Sequence, residues 1–83
     1  MFVRFRGSHR EIHPRVTEIA INPHEVCAMM AGGWATFSPA GNFIDITPKS
    51  VAVPGCTEIT YIYTAATIFL VVGNFDSVEA CLR

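Results

Sequence analysis

The chain has 83 residues, 51% of them hydrophobic and only 16% charged, with a net charge of -1. This composition excludes an intrinsically disordered chain, which needs low hydrophobicity and high net charge, and it exerts no bulk pull on nucleic acid. A single small domain of this length buries about 60–65% of its unfolded surface, so a mean hydropathy of +0.37 predicts that some apolar surface is covered by another copy or a partner.

Val3-Arg4-Phe5-Arg6 alternates apolar and charged residues, the period of a strand with one wet face. Gly7-Ser8 is expected to break it, and His9 to Arg15 to form a broad polar loop in which Pro14 disfavours helical geometry at His13. Thr17 to Ile21 alternates again, so the first two strands read as a hairpin. Asn22-Pro23 is a turn or cap signal. Val26 to Met30 is either a third strand or one helical turn leading into it.

From Ala31 to Gly55 the chain reads as a flap or insertion, with Gly32-Gly33 and three prolines. Within it, Ala35-Thr36-Phe37 and Phe43-Ile44-Asp45-Ile46 flank Ser38-Pro39-Ala40-Gly41-Asn42, a plausible hairpin loop because proline presets one turn angle and Gly-Asn tolerates positive φ. Thr57 to Tyr63 is rich in good strand formers. Ile68 to Val72 is apolar at consecutive positions, so both of its faces need cover. Asp76-Ser77-Val78-Glu79 resembles an acidic cap with a glutamate three residues on, and Val78, Cys81 and Leu82 share one side of a short helix. Such a helix must lie on the sheet to be stable.

Three cysteines (Cys27, Cys56, Cys81) lack a C-x-x-C pair and are odd in number, which points to reduced thiols in a cytosol-like compartment. The N-terminal residues lack the apolar core of a signal peptide. The stretch from Ile59 to Val72, interrupted by threonines and tyrosines, is short of the roughly 20 apolar residues a membrane helix needs. The expectation is a cytoplasmic protein with no membrane association.

Two segments carry a resemblance. Glu18 to Val26, with its strand, Asn-Pro and acidic-apolar run, and Pro54 to Leu82, with its strand, turn, valine-ended strand and helix start, together resemble the FlbD-like or SwrD-like small flagellar proteins and related bacterial and phage proteins. The shared motifs are caps, turns and strands. What the resemblance implies is a small, β-rich, non-enzymatic accessory protein of the cytoplasm.

Few groupings point to chemistry. His9 and His13 are four apart, but no third ligand lies close in sequence, so polar loop residues explain them better than a metal. No glycine-flanked nucleophile elbow and no phosphate-binding glycine loop occurs, so neither catalysis nor a cofactor is expected. Arg4, Arg6, Arg10 and Arg15 fall within the first fifteen residues against Glu11 alone, while the rest of the chain is acidic. They are candidates to contact an anionic ligand through charge-assisted forks, or to pair with acidic surface of a neighbouring subunit. Trp34, Phe37 and Phe43 are candidate partner-binding residues because exposed aromatics anchor interfaces. The expectation there is that Phe37 and Phe43 face a partner while Trp34 packs inward.

The fold class is therefore α+β and mostly β: one domain over 1–83, a twisted antiparallel sheet of about five strands, a short C-terminal helix and a projecting flap or hairpin at 31–55. The expected function is a small regulatory or inhibitory adaptor, bacterial or phage, binding a protein partner and forming a homo-oligomer. The alternative is nucleic-acid or nucleotide binding through the arginine face.

Overall fold

The computed structural model describes residues 1–9, 15–48 and 51–83. The alternating and β-branched runs form six strands: β1 (Val3–His9), β2 (Thr17–Ile21), β3 (Val26–Phe37), β4 (Phe43–Thr47), β5 (Thr57–Thr64) and β6 (Ile68–Val72). A single helix, α1 (Phe75–Leu82), follows. All strand pairs are antiparallel, and the sheet order is β2-β1-β6-β5-β3-β4. The protein is mostly β with one short C-terminal helix, as its composition and periodicity indicate. Among the described residues, no helix is long and apolar enough to cross a membrane.

Two strands run longer than the glycines suggest. Gly7 and Ser8 do not break β1; both are buried, and β1 runs on to His9 with Gly7 opposite Val71 and Ser8 opposite Leu70. A Cβ at Gly7 would stand 2.3 Å from the Leu70 carbonyl oxygen, so glycine is what permits this approach of two backbones. Likewise, Gly32-Gly33-Trp34 lies inside one long β3, with a bulge between Ala31 and Gly33 rather than a break. Residues 31–37 of the expected flap are thus part of a strand paired with both β5 and β4. Residues 38–47 complete the β3–β4 hairpin around loop 38–42, where the Ser38 backbone N–H donates to the Asn42 carbonyl at 2.9 Å.

The connection from β2 to β3 dictates the curvature. These strands are four positions apart in the sheet, about 19 Å if the sheet were flat. Yet only Asn22–Glu25 separate them, and five Cα steps reach at most about 18 Å. The link is shorter still, because Pro23–Glu25 is a 3-10 turn whose start is capped by the Asn22 side chain, accepting from the His24 N–H at 3.0 Å. The sheet must curl, and it does: Val26 packs against the same core cluster as Ile21.

Inside this curl lie Phe5, Ile21, Ile62, Val71 and Val78, flanked by Met29, Phe69 and Leu82. Helix α1 contributes Val78 and Leu82, the side its apolar spacing defines. On the opposite face, Ala35, Ile59 and Leu70 are buried under Phe37, Phe43, Ile46 and Tyr61. Adjacent Leu70 and Val71 are therefore each buried, on opposite faces, by the chain itself. The need for cover on both faces of β6 is real, but the hairpin meets it without a second copy.

The helix cap differs from the acidic one expected. Asn74, not Asp76, is the N-cap, its side chain accepting from the Ser77 N–H at 2.8 Å. Glu79 pairs instead with Arg83 at 2.9 Å. The β6 ladder and the turn at Gly73 set where the helix starts: the Gly73 N–H donates to Glu58 O at 2.9 Å, and the buried Thr60 hydroxyl donates to Gly73 O at 3.0 Å. Replacing Asn74 with Ala is expected to lower stability by about 1 kcal/mol. Asp76→Ala should cost less, since that carboxylate only complements the helix dipole. Paired thermal melts of the two variants check the order.

Candidate binding cleft at the sheet seam

β2 and β4 are the two edges of the sheet, yet they meet. Arg15 forms an antiparallel bridge with Asn42, and the Val16 N–H donates to Gly41 O at 3.0 Å. Beneath this seam is a cleft of about 230 Å³ lined by Arg6, Val16, Phe37, Gly41, Thr57 and Val72. The register explains the set. Arg6 precedes the Gly7–Val71 pair and so abuts Val72, Val72 faces Ile59 on β5, and Thr57 faces Ala35 on β3. The middle of β1 and one end each of β6, β5 and β3 contribute, and the hairpin loop and Val16 close the rim.

Arg4 and Arg6 share the face of β1 opposite to Phe5. In the β1–β2 ladder, Glu18 stands across from Arg6, but its carboxylate is taken by Arg4 at 3.2 Å. Both side chains of that pair are largely exposed, so the pair contributes little stability. Its consequence is local: among the described residues Arg6, which lines the cleft, has no carboxylate partner. Arg15 is exposed and bridges Asn42 through its backbone beside the Val16 wall. Arg10 and His13 lie outside the described residues. His9 packs edge-on against Phe69, ring centroids 5.5 Å apart.

Trp34, Phe37 and Phe43 are all partly buried. Phe37 and Phe43 form a tilted pair with centroids 4.9 Å apart, packed against the Ala35–Ile59–Leu70 cluster, and Phe37 also lines the cleft. Trp34 is half-buried, sits across from Glu58 and Thr47, and belongs to neither core cluster. The reason is parity. On β3, Ala35 and Phe37 share the face on which Leu70 and Ile59 need cover, and Trp34 points to the other.

One residue from each candidate set, Arg6 and Phe37, thus meets in one cleft. Val16, Gly41, Thr57 and Val72 complete it without any local sequence signal, because only the meeting of the sheet edges brings them together. Among the described residues, no three His, Cys, Asp or Glu side chains converge as metal ligands. A second hollow, about 190 Å³, lies between Met1, Pro23, His24, Leu82 and Arg83 at the far end of α1.

These features define a small, curled, antiparallel β protein with one helix against its core and a cationic, apolar-walled cleft where its edges join. Compared with family models, curated proteins and solved structures, the chain matches none.

Proposed function

We propose that this protein is a non-enzymatic binding module, a small regulatory or inhibitory adaptor acting through protein–protein contacts, with the seam cleft as its contact site. The observation that carries the reading is that Arg6, without a carboxylate partner among the described residues, lines one cleft with the apolar residues Val16, Phe37 and Val72. A fork with unused donors next to apolar surface is the combination that anchors a partner side chain. Nucleic acid is less well served, because affinity for it grows with the number of phosphates neutralised, and Arg4 is engaged by Glu18. Pockets that enclose drug-sized ligands measure roughly 300–1,000 Å³, above the size of this cleft. The cytosol-like compartment belongs to the same proposal and rests on three cysteines that form no disulfide.

The test is reversal of the charge. Arg6→Glu should reduce partner capture from cell lysate by roughly tenfold or more, since like charges across an interface are strongly unfavourable. Its melting temperature should stay within a few degrees of the parent, as for surface substitutions generally. Undiminished capture would place the contact site elsewhere.

Assembly into a homo-oligomer has a separate support, an uncharged strip on the face opposite α1. Ala28 and Met30 on β3 stand across from Tyr63 and Tyr61 on β5, and Met30 is 50% exposed. Light scattering at high micromolar concentration should return a mass above 9.1 kDa, and Met30→Glu should return the monomer.

A further inference from the structure

Resting on the reading of the seam cleft as the contact site, we infer that its occupant is a single carboxylate on an apolar stem, presented by a protein partner. The charge pattern is the first argument. The β1–β2 register would naturally give Arg6 its own acid in Glu18, but Glu18 pairs with Arg4, leaving Arg6, which lines the cleft, without a carboxylate partner among the described residues. The planar guanidinium matches a carboxylate through two parallel hydrogen bonds. Among the described residues no acidic side chain lines the cleft to compete.

The walls supply the second argument. Val16, Phe37 and Val72 offer aliphatic and aromatic surface to the stem of the carboxylate, while Thr57 is the other side chain able to donate a hydrogen bond. A doubly charged phosphate would call for a second cation, and the other arginine on this face of β1 is held by Glu18. Size agrees: about 230 Å³ suits the end of one residue and is below the roughly 300–1,000 Å³ of pockets that enclose drug-sized ligands. The carboxylate can come from a glutamate or aspartate side chain or from a C-terminus, and the chemistry at Arg6 is the same.

The experiment is an amide NMR titration of the isotope-labelled protein with separate probes. They are a blocked peptide with one glutamate between leucines, its glutamine counterpart, an unblocked leucine peptide with a free C-terminus, the phosphoserine counterpart and a short single-stranded oligonucleotide. The glutamate peptide, the free C-terminus or both should give saturable shifts at Val16, Gly41, Thr57 and Val72, and which of them binds identifies the source. The glutamine peptide should bind roughly tenfold more weakly or worse. Arg6→Gln should remove the shifts, while replacing Arg4 and Glu18 together by Gln, which removes the ion pair without freeing Glu18 for Arg6, should leave the affinity within about twofold. Tighter binding of the phosphoserine peptide or the oligonucleotide, or equal binding of the glutamine peptide, overturns the carboxylate while keeping the cleft as the contact site. Absence of shifts at these four amides with every probe overturns both.

Discussion

Replacing Gly33 with Ala is expected to open the β3–β4 hairpin and lower stability by about 3 kcal/mol or more. Gly33 adopts φ +84°, a region that costs a residue with a side chain about 1–3 kcal/mol. The added Cβ would also fall 2.3 Å from the Thr47 carbonyl oxygen and 2.8 Å from the Pro48 Cα. Both are backbone atoms at the end of β4, so relief requires moving the strand rather than rotating a side chain. A domain of this length has a total stability of roughly 4–12 kcal/mol, so the loss is a large share of it. Thermal melting should fall by about 12–24 °C. Because β4 and loop 38–42 form one rim of the cleft, the amide signals of Val16 and Gly41 should move in this variant even below its melting point. A melt within about 5 °C of the parent would mean that the bulge can reposition Gly33 without displacing β4.

Ile62→Ala should have a comparable effect by a different route. Ile62 is completely buried, lies across from Met29 and Phe69, and sits at the centre of the cluster that α1 covers. Truncating it removes apolar contacts and leaves a cavity that a curled sheet pinned at its seam can only partly collapse. The expected loss is about 3–4 kcal/mol, within the usual range of 2–5 for such substitutions. Ile44→Ala on β4 is the informative comparison, because Ile44 is 64% exposed and its truncation should change stability by less than about 0.5 kcal/mol. Chemical denaturation of both variants measures the difference. Equal losses would mean that Ile44 is covered in solution, by a second copy or by another segment.

Edge strands carry a general risk of pairing with other chains, and β4 shows one way of blunting it. The Asp45 side chain accepts from the Ile46 N–H at 2.9 Å, spending on its own strand a donor that could otherwise template another. Proteins that bind by adding a partner strand leave such donors open. The proposed contact site is accordingly the cleft at the seam rather than the β4 edge.

Much of the fold is legible in the residues because its cues are local. Alternation in Val3–Arg6 and Thr17–Ile21 marks two strands with one wet face, and the Ser-Pro-Ala-Gly-Asn loop marks the hairpin. The apolar run Ile68–Val72 announces a strand buried on both faces, and Val78 and Leu82 the buried side of a helix. Arg6 and Phe37 stand out by residue type alone, without any indication that they meet. What tertiary structure decided is what depends on distant neighbours. Gly7 and Gly32-Gly33 look like breaks, yet they are the points where backbones approach or a strand bulges, and only the partner strand shows which. Asn74 and Asp76 are both competent caps; the end of β6 and the anchoring of Gly73 chose the first. The faces assigned to Trp34 and Phe37 followed from the β3–β5 register, set beyond the bulge by long-range pairing. The cleft itself exists because a short link between β2 and β3 forces the sheet to curl until its edges touch, and curvature of that kind is a property of the whole sheet rather than of any one segment.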